Sequence, residues 1–452
     1  MSKMIMAQEN GRAIGGPDKI FGISNLAKAR IEEVGKSKVI DSTIGALLDD
    51  EGDLIVLSSV VDVLRSLAPA DYAAYAPIAG IPSFLEAVKT AVFGEKAPEG
   101  FVEACFTPGG TGALRDAISC YTRRGDAILT SDWHWSPYKT IAAEQERTLE
   151  TYPLFDERSR FNHRAFDQKV KEILGRQEEL LVIINTPSHN PTGYTFTAED
   201  WEHVIQTLKE AAPMECGQDA GSCGEACRSQ DARSCGENAD QDSKTASAKK
   251  VIVVVDIAYL DFSGDAKKYR AFFSQLSGLP QNILPLIAFS ASKGFTLYGM
   301  RCGALLCLAP TAEIAAEFKA AAALASRGTW SNGNRAAMEV IARIFNDPGL
   351  LAKVTEEREI YLQLMQKRGK AFMDEAMAAG LPICPYDSGF FVTVPCENDD
   401  AVSKELQQYD IFAVPIGKGI RIAICAISEE KCKTIPEKVM AAIKSAKAKR
   451  AE

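Results

Sequence analysis

Six short apolar runs punctuate the chain: Val102–Phe106, Ala127–Leu129, Leu180–Ile184, Val251–Val255, Leu286–Phe289 and Ala304–Leu308. Each ends in polar residues or glycine, and stretches of helical periodicity lie between them. The runs are unbroken rather than alternating. That suits strands covered on both faces, as in a parallel sheet wound by helices. The pattern predicts an α/β fold here, with helices over Pro82–Phe93 and Thr111–Tyr121; strand order is not contained in it. The segment to about Asp53 is mixed, with Asp41-Ser-Thr-Ile-Gly45 ending a short apolar run, and Asp71–Gly80 reads as a loop. After about residue 345 the pattern changes. Two long amphipathic helices are expected over Leu350–Gly380, then strands at Gly389–Val394, Ile411–Val414 and Ile420–Ile424, and a basic closing helix. This reads as a smaller α+β domain.

One segment breaks the rhythm. Between Pro213 and Lys249 there is almost no apolar content beyond alanine and cysteine, and Asp219-Ala-Gly-Ser-Cys-Gly-Glu225 recurs as Asp231-Ala-Arg-Ser-Cys-Gly-Glu237. Such a composition cannot bury enough apolar area to offset ordering entropy, so a disordered insertion is expected over 214–249. Cys216, Cys223, Cys227 and Cys235 are potential thiolate ligands, but their spacing lacks the paired knuckles of structural zinc. No metal site is expected.

The length, 452 residues, exceeds the roughly 250–300 residues of a single core, so two domains are expected. The net charge of −9 disfavours a nucleic acid or an anionic membrane as partner. No apolar stretch approaches the roughly 18 residues of a spanning helix, and Met1–Arg12 lacks the apolar centre of a secretory signal. Eight of the 12 cysteines are scattered through apolar surroundings, as at Cys302, Cys307 and Cys425. These features suit thiols of a reducing cytoplasm.

Candidate chemistry concentrates in Phe289–Gly303, where Lys293 follows an apolar run and Arg301 comes eight residues later. Polar residues at a strand's carboxyl end occupy the place where open α/β sheets build their sites. A lysine amine there can condense with an aldehyde cofactor, and an arginine can clamp a phosphate with a planar fork of donors. Asp256 similarly terminates Val251–Val255. Gly110 and Thr111 open the predicted helix Thr111–Tyr121, where backbone N–H groups can receive a phosphate.

Ser290-Ala-Ser292-Lys293 with Arg301, together with Thr107-Pro-Gly-Gly-Thr-Gly-Ala-Leu-Arg115, His189-Asn-Pro-Thr-Gly193 and Asp256-Ile-Ala-Tyr259, resembles the signature of class I aminotransferases in its order. The similarity runs from about Pro17 to the C-terminus, in particular to aspartate and aromatic amino acid aminotransferases. It implies pyridoxal 5'-phosphate (PLP) as cofactor and a discontinuous small domain. Residues 1–54 would pack with 346–452, and 55–345 would form the large PLP-binding domain. By resemblance, Lys293 carries PLP, Asp256 pairs with its pyridine nitrogen, and Tyr259 and Asn190 donate to its phenolic oxygen. Gly110, Thr111, Ser290 and Arg301 hold its phosphate, joined by Tyr75 from the neighbouring subunit. Trp135 stacks on the ring, with Trp133 as the register-shifted alternative. Arg421 grips the substrate α-carboxylate, Arg327 reads a side-chain carboxylate across a homodimer interface, and Gly45, Trp135 and Asn190 complete the substrate site. Tyr138 stands where aspartate aminotransferases usually have histidine, and Gly109 where some members have serine.

The resemblance implies a cytoplasmic transferase moving an amino group between aspartate or an aromatic amino acid and 2-oxoglutarate, with amino acids and 2-oxo acids as its partners. A β-lyase or amino-acid decarboxylase would use the same Lys293 and Asp256. A non-enzymatic PLP-binding sensor would need a DNA-binding domain, which the fewer than 20 residues before the resemblance are not expected to hold.

Overall fold

The computed structural model describes residues 4–12, 19–94, 97–213 and 249–451. The proposed disordered insertion at 214–249, with its four cysteines, therefore lies outside the described residues apart from Lys249. In chain order the strands are β1 (Ile40–Asp41), β2 (Phe101–Thr107), β3 (Ala127–Ser131), β4 (Thr148–Tyr152), β5 (Glu179–Asn185) and β6 (Lys250–Asp256). They continue with β7 (Ile283–Ser290), β8 (Gly303–Ala309), β9 (Phe391–Pro395), β10 (Ile411–Phe412), β11 (Val414–Pro415) and β12 (Gly419–Ala423).

Seven strands form one sheet in the order β2-β8-β7-β6-β5-β3-β4. Its strands run parallel except β8, which is antiparallel to both β2 and β7. The α/β expectation is thus met by a mainly parallel sheet. Unbroken apolar runs follow from burial on both faces: Val253 and Val255 join the core on one side with Trp201 and Ile341, while Ile252 and Val254 face Leu114 and Phe318 on the other. The edge strand β4, Thr-Leu-Glu-Thr-Tyr, escapes the sequence pattern because it is polar and only its last residue is fully buried.

Register delivers the functional residues to one edge. Asn185 at the end of β5 lies opposite Asp256 at the end of β6, and Asp256 lies opposite Ala288 of β7. Ser290, the last residue of β7, faces Gly303 of β8, which also faces Thr107 of β2. The helix Gly109–Tyr121 starts beside this edge and buries Ala113, Leu114, Ala117 and Ile118 against the sheet.

A second core surrounds the antiparallel sheet β11-β12-β9. β1 pairs in parallel with β10, Ile40 opposite Ile411, so the early chain is stitched to the late chain. Arg368, fully buried, strengthens that seam by donating to the carbonyls of Leu48 and Cys425 and pairing with Asp50 at 2.8 Å. The two helices expected over Leu350–Gly380 are in fact one, Pro348–Ala378. Gly369 does not break it; a Cβ there would lie 2.6 Å from Tyr386 Oη, so the glycine serves close packing inside a continuous helix.

Candidate active site

Lys293 lies in the one-turn helix Ala291–Gly294 directly after β7. The turn starts at Ser290, whose hydroxyl accepts the Ser292 N–H at 3.3 Å. The Lys293 amine donates to the Gly45 carbonyl. It also sits among rings, 4.8 Å from the centroid of Tyr298, 5.5 Å from Phe390 and 5.8 Å from Tyr259. Burial pushes this amine down to about 8; Cys425 opposes the shift, and Arg421 and Arg301 add to it. A neutral amine is accordingly within reach near physiological pH.

Asp256 is buried at the tip of β6. Its Oδ2 accepts a 2.6 Å hydrogen bond from Tyr138 and its Oδ1 accepts the Ala258 N–H at 3.1 Å. Burial raises its proton affinity, and these two donors act against that rise. Neighbouring Asn185 donates to the Asp256 carbonyl at 2.8 Å and accepts the Asn190 N–H at 2.6 Å, which ties the loop after β5 to this point. Asn190 Nδ2 donates to Tyr259 Oη at 3.2 Å, while Asn190 Oδ1 is buried with no hydrogen-bond partner among the described residues.

These groups line one cavity of about 190 Å³, together with Gly110, Thr111, Trp135, Ser290, Ser292, Tyr298 and Arg301. One end gathers anion-binding groups: the N-terminal N–H groups of Gly109–Tyr121, the Ser290 hydroxyl and the Arg301 guanidinium. Arg301 is anchored at 3.0 Å to the Tyr298 carbonyl and at 3.3 Å to Ser292 Oγ. Gly109 has a φ of +73°, and a Cβ there would stand 2.7 Å from Arg301 Nη2, so the serine found in some relatives would crowd this guanidinium.

Through Trp135 and Asn190 this cavity adjoins a second, of about 340 Å³, lined also by Ile20, Trp133, His134, Ile416 and Arg421. Trp135 thus lines both cavities, whereas Trp133 lines only the second and lies under Lys418 at 5.4 Å. Arg421 is buried in β12, donates to the Thr43 carbonyl at 2.7 Å and packs over the Phe391 ring at 4.4 Å. Gly45 has no room for a side chain, because a Cβ would lie 2.4 Å from that same ring.

Two of the expected site residues stand apart. Tyr75 is 89% exposed, and Arg327, at the end of the helix Ala312–Thr329, is exposed and donates to Ser331 at 2.7 Å. Neither lines either cavity. Sequence reasoning missed Tyr298, whose hydroxyl accepts the Leu47 N–H at 3.0 Å, and Ser292 and Asn185. Tyr298 and Ser292 lie inside the Lys293 signature itself; Asn185 terminates an apolar run just as Asp256 does.

The donor set fits PLP: a helix N-terminus, serine and arginine for a phosphate, a buried carboxylate for a ring nitrogen, an orphaned amide oxygen on Asn190, and an amine of low proton affinity. The profile of the family described as "Aminotransferase class I and II" matches residues 37–214 and 243–439. The chain is 26% identical over 362 residues to the aromatic-amino-acid aminotransferase of Escherichia coli strain K12, covering 76% of this chain and 79% of that one. It is 25% identical over 374 residues to the aspartate aminotransferase of the same strain, covering 80% and 82%. The crystal structure of an aminotransferase from Anaerococcus prevotii superposes with a TM-score of 0.88 at 33% identity, over 97% of this chain and 100% of that one. The chain belongs to the class I and II aminotransferases, a family of PLP-dependent transferases.

Proposed function

We propose that this aminotransferase moves an amino group between aspartate or an aromatic amino acid and 2-oxoglutarate, as a cytoplasmic homodimer, with Lys293 as the residue that carries the cofactor. One observation carries this reading: the low-affinity amine of Lys293 lies in a cavity that holds Asp256 and opens toward Arg421. PLP, when bound, supplies an electron sink for the pair left on the substrate Cα. Asp256 would hold the ring nitrogen in its protonated form, and Trp135 would cover a ring face. Gly110, Thr111, Ser290 and Arg301 would hold the phosphate, and Asn190 and Tyr259 the phenolic oxygen. Arg421 would grip the substrate α-carboxylate, with Gly45 shaping the wall beside it. Lys293 Nζ, neutral in appreciable fraction at neutral pH, would take the proton from the substrate Cα. Tyr75 and Arg327 would act across the dimer interface, Tyr75 on the phosphate and Arg327 on a distal carboxylate.

The test is a donor screen of the purified holoenzyme with 2-oxoglutarate as acceptor. Aspartate, phenylalanine or tyrosine should yield glutamate and the matching 2-oxo acid in equal amounts. Release of ammonia or carbon dioxide without an oxo acid would replace this reading with a lyase or a decarboxylase. Turnover confined to other donors would remove the substrate assignment.

A further inference from the structure

Behind the Lys293 turn lies a crevice of about 970 Å³ in which three charged side chains converge. Asp261 is held between Arg270, at 3.0 Å, and Arg358, at 3.5 Å, and all three side chains are less than a fifth exposed. Arg270 is itself fixed by the carbonyls of Ala91 and Val92, each at 3.0 Å. Asp261 belongs to the short 3-10 helix Leu260–Phe262 that follows Tyr259. Its carboxylate lies against Gly294, the residue after Lys293, so closely that a Cβ there would be 2.1 Å from Oδ2. Arg358 also donates to the Gly294 carbonyl at 3.3 Å and lies 5.7 Å from the Phe295 ring centroid.

Arg358 projects from Pro348–Ala378, the helix whose early part (Val354) joins the core of the large sheet and whose later part (Leu362, Met365, Phe372) joins the second core. The residue before it, Glu357, makes an unrelated contact, accepting the N–H groups of Ser58 and Ser59 at the start of the helix Ser58–Arg65. The helix joining the two cores therefore grips the Lys293 turn from behind by one guanidinium, at the peptide next to Lys293.

We propose that Asp261 and Arg358 are positioning residues for Lys293, locking its turn through Gly294 to the helix that joins the two cores. The inference rests on the reading of Lys293 given above. On the front of the turn, Tyr259 and Tyr298 surround the amine, with Cys425, Arg421 and Arg301 as further titratable or charged neighbours. On the back, Lys267, Asp265 and Glu359 line the crevice beside the triad. The lock keeps the amine inside its ring cage; once it is released, the side chain reaches water, and an ammonium in water regains its ordinary proton affinity.

The measurement is the pH dependence of Lys293 acylation by an amine-reactive reagent, read by peptide mass in the full-length protein freed of cofactor. Arg358→Ala should raise the labelling midpoint by about one pH unit, as expected when desolvation of the amine is partly relieved. Asp261→Asn, which keeps the side chain's shape, should raise it too, and Arg358→Lys should fall between wild type and Arg358→Ala. Glu357→Gln, one residue away on the same helix, should lower thermal stability and leave the midpoint where it is. A depressed midpoint in wild type that neither Arg358→Ala nor Asp261→Asn moves would overturn the lock alone, and so would an equal shift in Glu357→Gln. If Arg358→Ala fails to fold, Asp261→Asn decides. An ordinary lysine midpoint in wild type would overturn both the lock and the reading of Lys293 beneath it.

Discussion

Asp256 faces two opposed demands. It must be ionised to pair with a cationic ring nitrogen, yet burial favours its neutral form. Tyr138 resolves part of the conflict. Burial and the neighbouring Asp256 push the tyrosine's own proton affinity well above its ordinary value, so the phenol remains a donor over the working pH range. The T-shaped contact with Trp135, 5.6 Å between centroids, fixes the ring that makes this bond. Where many relatives use histidine, this chain has a group that cannot titrate near neutrality. Tyr138→Phe removes a hydrogen bond to a charged group worth about 1.5–3 kcal/mol, or about one to two pH units. Loss of the donor favours protonated Asp256, so the acid limb of the kcat/KM profile should move upward in pH by that amount. A pH–rate profile with an unmoved acid limb would mean that Tyr138 only packs.

At the scale of elements, the phosphate end of the site depends on how closely three backbones approach. Gly303 opens β8 between Thr107 of β2 and Ser290 of β7, and a Cβ there would lie 2.6 Å from both Gly109 C and Phe289 O. Both are backbone atoms and cannot swing aside. The absence of a side chain at Gly303 thus sets the distance between the start of Gly109–Tyr121 and the end of the strand that leads to Lys293. Overpacking a close contact costs about 1–3 kcal/mol, and here the helix N-terminus must absorb the displacement. Gly303→Ala should therefore weaken PLP binding about tenfold or more, measured by cofactor titration of the apoprotein. Wild-type affinity would show that the helix shifts without cost to the phosphate end.

For the whole molecule, the site lies between two cores, with Lys293 and Asp256 supplied by one and Arg421 by the other. Arg327 and Tyr75 belong to the exposed surface of their own protomer. The dimer reading gives them a use, because a guanidinium delivered into a neighbouring cavity would favour substrates bringing a second carboxylate. Truncating such a charge-assisted pair costs on the order of 2–5 kcal/mol in a desolvated site. Arg327→Ala should slow the aspartate and glutamate half-reactions by about a hundredfold or more in single-turnover kinetics, and change the phenylalanine half-reaction little. Mixed dimers of Arg327→Ala and Lys293→Ala subunits should recover dicarboxylate turnover, since one site then has both groups intact. Equal losses for the two substrate classes, or no recovery in mixed dimers, would remove Arg327 from the substrate site.

The chain's own pattern determined that β5, β6, β7 and β8 are strands buried on both faces, because unbroken Val, Ile and Leu runs cannot leave a face to water. It also placed Lys293, Asp256 and Gly110 at the polar ends of such runs, since the chemistry of a strand's last residue is local information. It could not supply the antiparallel β8, which depends on which strands become neighbours, or the polar edge strand β4, whose residues are held by pairing rather than by burial. The long helix Pro348–Ala378 was split in expectation because a glycine's tolerance at position 369 is decided by Tyr386, seventeen residues away along the chain. Only tertiary structure decided that Asn185, Tyr298 and Asp261 belong around the site. Each is an ordinary polar residue in sequence, and each acquires its role from contacts made when β5, β6 and β7 end side by side.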